Sequence, residues 1–228
     1  MTAGEGFTLA GYLVGFAVFL WAARASGFDA SAMLRLGAVA LIAGAVGARI
    51  AQHAFGAGGI ESALSTQAGG RTILAGVLCG WLAVEVAKRV MGLKRSTGAA
   101  FALALAAGEC VGRVGCHFNE CCYGREWGGL SVFQHGAERF PAQLTAAAYS
   151  GIVFMVLLSA RPRLEAAALF QLYLALFAFG RFFLEFGREP TLVFAGLSAA
   201  QWVCIEIAAS LAAIQVWKWS TSRRATAQ

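Results

Sequence analysis

Apolar residues run along this chain in seven long blocks, at residues 7–26, 32–55, 70–90, 97–115, 142–160, 164–186 and 198–219. Each is close to the ~20 residues that a helix needs to cross the hydrocarbon core of a bilayer. No internal repeat, low-complexity tract or long linker breaks the series. The pattern predicts an all-α, polytopic membrane bundle of about seven transmembrane helices, with residues 1–228 forming a single integral membrane domain. The first block has no basic leader and carries Glu5 there instead, so it is expected to be a retained helix and not a cleaved signal.

Polar positions set the expected orientation. Lys88, Arg89, Lys94 and Arg95 follow the third block, Arg161 and Arg163 follow the fifth, and Lys218, Arg223 and Arg224 close the chain. With seven helices these basic groups fall on one side, and short basic loops stay in the cytoplasm. The N-terminus is therefore expected outside and the C-terminus inside, in a bacterial cytoplasmic (inner) membrane. Residues 116–141 become an outer loop on an oxidising face. The same distribution explains the net charge of +6 without a nucleic-acid partner.

Composition sharpens this picture. Hydrophobic residues make up 59% and charged residues 13%, whereas soluble domains carry roughly 25% charged residues. The 28 glycines suit close helix contacts where lipid supplies no hydrophobic drive between helices.

Charges inside the blocks stand out, because they are costly in hydrocarbon and tend to line an interior. They are Arg49, Glu85, Glu109, Arg113, Arg181, Glu185, Arg188 and Glu206. Glu109 and Arg113 are four residues apart and share a helix face. Arg181, Glu185 and Arg188 form a second charged stripe near the same outer surface. Two readings stay open for these groups: structural ion pairs, or a basic pocket for an anionic headgroup. Arginine suits the second because its planar fork bonds phosphate bidentately and keeps its charge when buried.

Cys116, Cys121 and Cys122 crowd into seven residues beside His117, with Cys110 below them, while Cys79 and Cys204 lie in apolar runs as packing residues. The cluster admits a structural disulfide, a reactive thiol activated by Arg113 and Arg125, or a soft-metal site. The bunched spacing is a weak zinc pattern, and thiolates suit a soft ion such as copper(I) better. His135 reads as a solvated loop histidine and Trp127 as an interfacial anchor.

Gly112–Arg125 reads Gly-Arg-Val-Gly-Cys-His-Phe-Asn-Glu-Cys-Cys-Tyr-Gly-Arg. It resembles the signature of the prolipoprotein diacylglyceryl transferases, Gly-Arg-Ile-Gly-Asn-Phe-Ile-Asn-Gly-Glu, two residues, then Gly. Further segments follow in family order. Gly47-Ala48-Arg49 is similar to Gly-Gly-Arg, and Gly69–Gly76 to Gly-Gly-Met-Ser-Phe-His-Gly-Gly. Arg139–Leu144 is similar to Arg-His-Pro-Ser-Gln-Leu, Arg181–Pro190 to Arg-Phe…Glu-Phe-Phe-Arg-Glu-Pro, and Gly196–Gln201 to a late Gly-Met-Ser…Gln segment.

The resemblance implies a membrane transferase that moves the diacylglyceryl group of phosphatidylglycerol, or a similar anionic phospholipid, onto a thiol acceptor such as a lipobox precursor protein. Glycerol phosphate leaves, and no metal or other cofactor is implied. Arg113 and Arg181 are then expected to hold the phosphate and Glu185 to orient Arg181. Asn119, Gly124, Gln143, Arg49 and Arg188 are expected to shape the substrate site. The chain departs from the family pattern at several positions. Leu74 stands for the family histidine, Cys116 for an asparagine, Cys121 for a glutamate, Phe140 for a histidine and Thr8 for a tyrosine. Candidates to replace the lost base are His117 and His53. The departures keep two alternatives open: a non-lipidating membrane protein handling thiols or soft metals through Cys116, Cys121 and Cys122, and a lipid-binding scaffold without catalysis.

Overall fold

A computed structural model of the chain describes residues 2–55, 70–189 and 192–225. Gly69 and Pro190 lie outside the described residues, as do the side chains of His53, Leu74 and Arg224. Among the described residues there are seven α-helices: α1 (Ala3–Ala25), α2 (Ala30–Phe55), α3 (Gly70–Val90), α4 (Gly98–Phe118), α5 (Ala142–Ala160), α6 (Ala166–Leu184) and α7 (Ala199–Ala225). They coincide with the seven apolar blocks to within a few residues. Among the described residues, six stretches of helix are long and apolar enough to cross a membrane, in α1, α2, α4, α5, α6 and α7. The chain is a multi-pass membrane protein.

Local chemistry starts the first two helices. Thr2 Oγ1 accepts from the Glu5 amide at 3.2 Å while Glu5 Oε2 accepts from the Thr2 amide at 2.9 Å, a reciprocal capping box. Asp29 Oδ2 accepts from Ser31 Oγ at 2.6 Å and from the Ala32 amide at 2.8 Å. Those bonds hold the Asp29 carboxyl below its ordinary range, the Ser31 hydroxyl contributing most.

Glycine lets the helices close on one another. A Cβ on Gly11 of α1 would sit 2.9 Å from the Gly108 carbonyl oxygen of α4, and one on Gly76 of α3 would sit 2.9 Å from that of Gly44 on α2. Two tight pairs result, α1 with α4 and α2 with α3, held by backbone proximity rather than by water-driven burial. Helix α4 also packs against α5 and α6 and forms the centre of the bundle, whereas α7 rests chiefly on α6. Leu36, Leu103, Leu157 and Leu169 are fully buried in the core.

The two ends differ in chemistry. At one, Arg95 Nη2 donates to the Ser26 carbonyl at 2.9 Å and Arg161 Nη2 to the Ala22 carbonyl at 3.1 Å. The basic α3–α4 and α5–α6 connections are thereby gathered around the end of α1. At the other end the connections fold into two hairpins that the apolar pattern does not foretell. Strands β1 (Val132–Gln134) and β2 (Ala137–Arg139) pair antiparallel, as do β3 (Leu192–Phe194) and β4 (Leu197–Ser198). Their turns are His135-Gly136 and Ala195-Gly196, all four residues with positive φ, the tight-turn geometry that favours glycine at its second central position.

Candidate active site

Two charged pairs project from neighbouring helices into one cleft. On α4, the Arg113 guanidinium donates to Glu109 Oε1 from Nη2 at 2.8 Å and from Nε at 3.1 Å. On α6, Arg181 Nη1 lies 2.9 Å from Glu185 Oε2, and Arg188 Nη1 approaches the same oxygen at 3.4 Å. Ser198 Oγ donates to the other oxygen, Oε1, at 3.1 Å. Glu109, Arg113 and Arg181 line the cleft together with Tyr149, Ser150 and Tyr173. Two guanidinium groups and one carboxylate line the cleft, which leaves an excess positive charge. The space open to a water-sized sphere is about 20 Å³, enough for one water and too small for a lipid headgroup without parting of the helices.

The segment after α4 packs against the chain that follows α6. Gly124 bridges Arg188 in an antiparallel backbone contact, and the Arg125 amide donates to the Gly187 carbonyl at 3.0 Å. A Cβ at Gly124 would run into the Phe140 carbonyl oxygen, so only glycine permits this approach. Arg139, buried at 8% exposure, pins the segment from below. It donates to the Gly124 carbonyl at 3.2 Å, the Gln134 carbonyl at 3.1 Å and Glu189 at 3.1 Å, and its guanidinium lies over the Tyr123 ring.

A glutamine relay fixes the rest. Gln143 Nε2 donates to the Cys121 carbonyl at 2.9 Å and to Gln134 Oε1 at 3.1 Å. Gln134 Nε2 then faces the His117 carbonyl at 3.1 Å and His117 Nδ1 at 3.2 Å. Because the Gln134 carbonyl is already accepting, its amine must be the group that meets the histidine. Nδ1 of His117 is therefore the acceptor, and the ring proton resides on Nε2. Gln143 itself is 2% exposed, and its Oε1 has no hydrogen-bond partner among the described residues.

The cysteine cluster borders the arginines. The sulfurs of Cys116, Cys121 and Cys122 all lie within 4.8 Å of one another, and all six cysteines are free thiols, so the disulfide reading of the loop is not the arrangement adopted. Glu120 and Cys122 take positive φ values of 50° and 59°, which folds the chain back over the end of α4. Hydrogen bonds from Cys116 and Cys121 push the Cys122 thiol down to about 2, and the Arg188 and Arg113 charges act in the same direction. Cys121, donating its proton to its two neighbours, is pushed far up. Cys110 stays apart, its sulfur against Gly151 of α5.

A sequence profile described as prolipoprotein diacylglyceryl transferase matches residues 6–217. The chain belongs to this family. Among curated proteins it is 37% identical over 106 residues to the phosphatidylglycerol–prolipoprotein diacylglyceryl transferase of Oleidesulfovibrio alaskensis, covering 43% of this chain and 39% of that protein. It is 31% identical over 132 residues to the protein of the same name from Polaromonas naphthalenivorans, covering 51% and 47% respectively. The chain thus matches less than half the length of these relatives.

Of the residues singled out in the sequence, Arg113 and Arg181 line the cleft, Gly124 bridges Arg188 and Gln143 bonds the Cys121 carbonyl. Asn119 instead caps α4 and packs against Gly4 of α1. Arg49 is exposed on α2 and is absent from the cleft lining. His135 is exposed but not free in water: its Nε2 lies 2.8 Å from the Glu120 carbonyl oxygen and its ring packs on Tyr123. Three contributors escape a reading of the charges within the apolar blocks. Arg139 lies outside the apolar blocks and becomes buried only through the hairpin. Ser198 and Gln201 form a capping box for α7, with the Ser198 amide 2.9 Å from Gln201 Oε1 and the Gln201 amide 3.3 Å from Ser198 Oγ. The Ser-x-x-Gln spacing ahead of the last apolar block was the available signal.

Proposed function

We propose that this family member transfers the diacylglyceryl group of phosphatidylglycerol, or a closely similar anionic phospholipid, to the cysteine thiol of a lipobox precursor. The names of its relatives support the substrates. The observation that carries the reading is the convergence of Arg113 and Arg181, from separate helices, on one cleft. In the reaction the acceptor sulfur forms a bond to the glyceryl carbon, the bond from that carbon to the phosphate oxygen breaks, and glycerol phosphate departs with the electron pair. Negative charge gathers on the leaving phosphate, where preorganised cationic donors act most strongly. Arg113 and Arg181 hold that phosphate, Glu109 and Glu185 orient them, and Arg188, Gly124 and Gln143 set the mouth. Parting of α5 and α6 admits the lipid laterally.

The thiol proton leaves to water at the mouth. His117 does not take it, because its Nδ1 lone pair is engaged by Gln134. The basic end of the bundle faces the cytoplasm by the rule that short cationic loops are retained there. The cleft and residues 116–141 then open to the outer face of a bacterial inner membrane, with the N-terminus outside.

The test is direct. Purified protein in phosphatidylglycerol-containing micelles is incubated with a lipobox peptide, and the peptide mass is measured. A gain of one diacylglyceryl group on the cysteine, absent with Arg113→Ala and with a Cys→Ser peptide, is the expected result. Folded wild-type protein that leaves the peptide unmodified at every lipid concentration overturns the proposal.

A further inference from the structure

The geometry points to a soft-metal site at the mouth of the cleft, in which Cys116, Cys121 and Cys122 bind one thiophilic cation, copper(I) foremost, through three sulfur ligands. A metal at the centre of three thiolates, with metal–sulfur bonds of about 2.3 Å, sets the sulfurs about 4 Å apart. The three sulfurs already lie within 4.8 Å of one another, so a small closing movement completes the triangle.

The backbone is arranged to bring them there. Cys116 sits in the last turn of α4, and the Cys121 amide returns to the Cys116 carbonyl at 3.1 Å. The left-handed conformations of Glu120 and Cys122 are unfavourable for residues with a Cβ. They turn both later sulfurs onto the first. An odd number of thiols also leaves one unpaired by any disulfide among the three, whereas all three serve a trigonal metal.

The donor set selects the ion. No carboxylate or histidine completes the group among the described residues, and the His117 ring is held against Gln134. Structural zinc takes four protein ligands, while sulfur-only donors suit soft copper(I). Three thiolates around a monovalent cation carry a net negative charge, and the charges of Arg188 and Arg113 bear on this cluster. The site is independent of whether the protein transfers lipid.

Reduced, detergent-solubilised full-length protein is titrated anaerobically with copper(I) against a chromophoric copper(I) chelator. One copper per chain withheld from the chelator is expected, with at least a tenfold weakening in each of Cys116→Ser, Cys121→Ser and Cys122→Ser and no change in Cys79→Ser. Copper held equally well by the triple serine variant, or weakened as much by Cys79→Ser, overturns the inference. Should the loop variants fail to fold, wild-type protein answers alone. Copper(I) is expected to shield these three cysteines from maleimide while Cys79, which is exposed, still labels. Equal labelling of the trio with and without copper overturns the inference.

Discussion

Arg181 and Glu185 are joined at 2.9 Å across one turn at the end of α6, and this single carboxylate also holds Arg188 and the Ser198 hydroxyl. Three elements of the chain therefore meet at Glu185, a residue only 8% exposed. Such a hub aims its arginines rather than merely neutralising them. Glu185→Gln keeps the shape and removes the charge. Transfer is expected to fall roughly tenfold or more, about 1.4 kcal/mol in the barrier, chiefly in kcat. A variant with wild-type kcat, measured by steady-state transfer to the lipobox peptide, would show that Arg181 needs no such orientation.

Gly124 presents a steric prediction. Its neighbours are the Phe140 and Gly187 carbonyl oxygens, so Gly124→Ala forces the cysteine loop away from Arg188. Overpacking of this kind costs about 1–3 kcal/mol, and a fall in thermal midpoint on the order of 5 °C is expected. Scanning fluorimetry in detergent measures it, and an unchanged midpoint contradicts the packing described.

Cys122 makes an electrostatic prediction. Its thiol is pushed down to about 2 by bonds from Cys116 and Cys121 and by nearby arginines, so its thiolate persists at mildly acidic pH. Iodoacetamide labelling of Cys122 is expected to stay flat between about pH 5 and pH 8. An ordinary thiol, with a pKa near 8.5, reacts about tenfold faster for each unit of rising pH in that range. Cys121, pushed the other way, is expected to label last. Peptide mapping by mass spectrometry gives both rates, and a steep pH dependence at Cys122 would refute the assignment.

His117 was a sequence-level candidate for the missing base, and the relay through Gln134 and Gln143 argues against it. His117→Ala is expected to retain transfer to within about fivefold, with a rate that still rises toward the acceptor thiol's own pKa of roughly 8.5. A loss well beyond fivefold in folded His117→Ala protein would restore His117 as the base.

Much of this arrangement was legible in the chain. Apolar run length alone located the seven helices of the described residues, because a bilayer demands about 20 apolar residues whatever their identity. Four-residue spacing revealed the Glu109–Arg113 and Arg181–Glu185 pairs, since helix geometry makes such neighbours certain to share a face. The convergence of the two pairs required tertiary structure, because it depends on α4 packing against α6. The hairpins were hidden for a different reason: strands of two or three residues carry no measurable alternation. Their His-Gly and Ala-Gly turns were the remaining cue. Arg139 lies outside the apolar blocks and ends β2, and it is buried through the β1–β2 hairpin. Arg49 is exposed on α2 and outside the cleft lining, a placement that a charge within an apolar run does not reveal.

A double-mutant cycle on kcat/KM with Arg113→Ala, Arg181→Ala and the pair together tests the central claim most directly. Two guanidinium groups clasping one phosphate act as a unit, so the double variant is expected to be little worse than the more damaged single variant, with an interaction energy on the order of 1 kcal/mol or more. Losses that simply add would place the two arginines on separate tasks and contradict the shared-phosphate account.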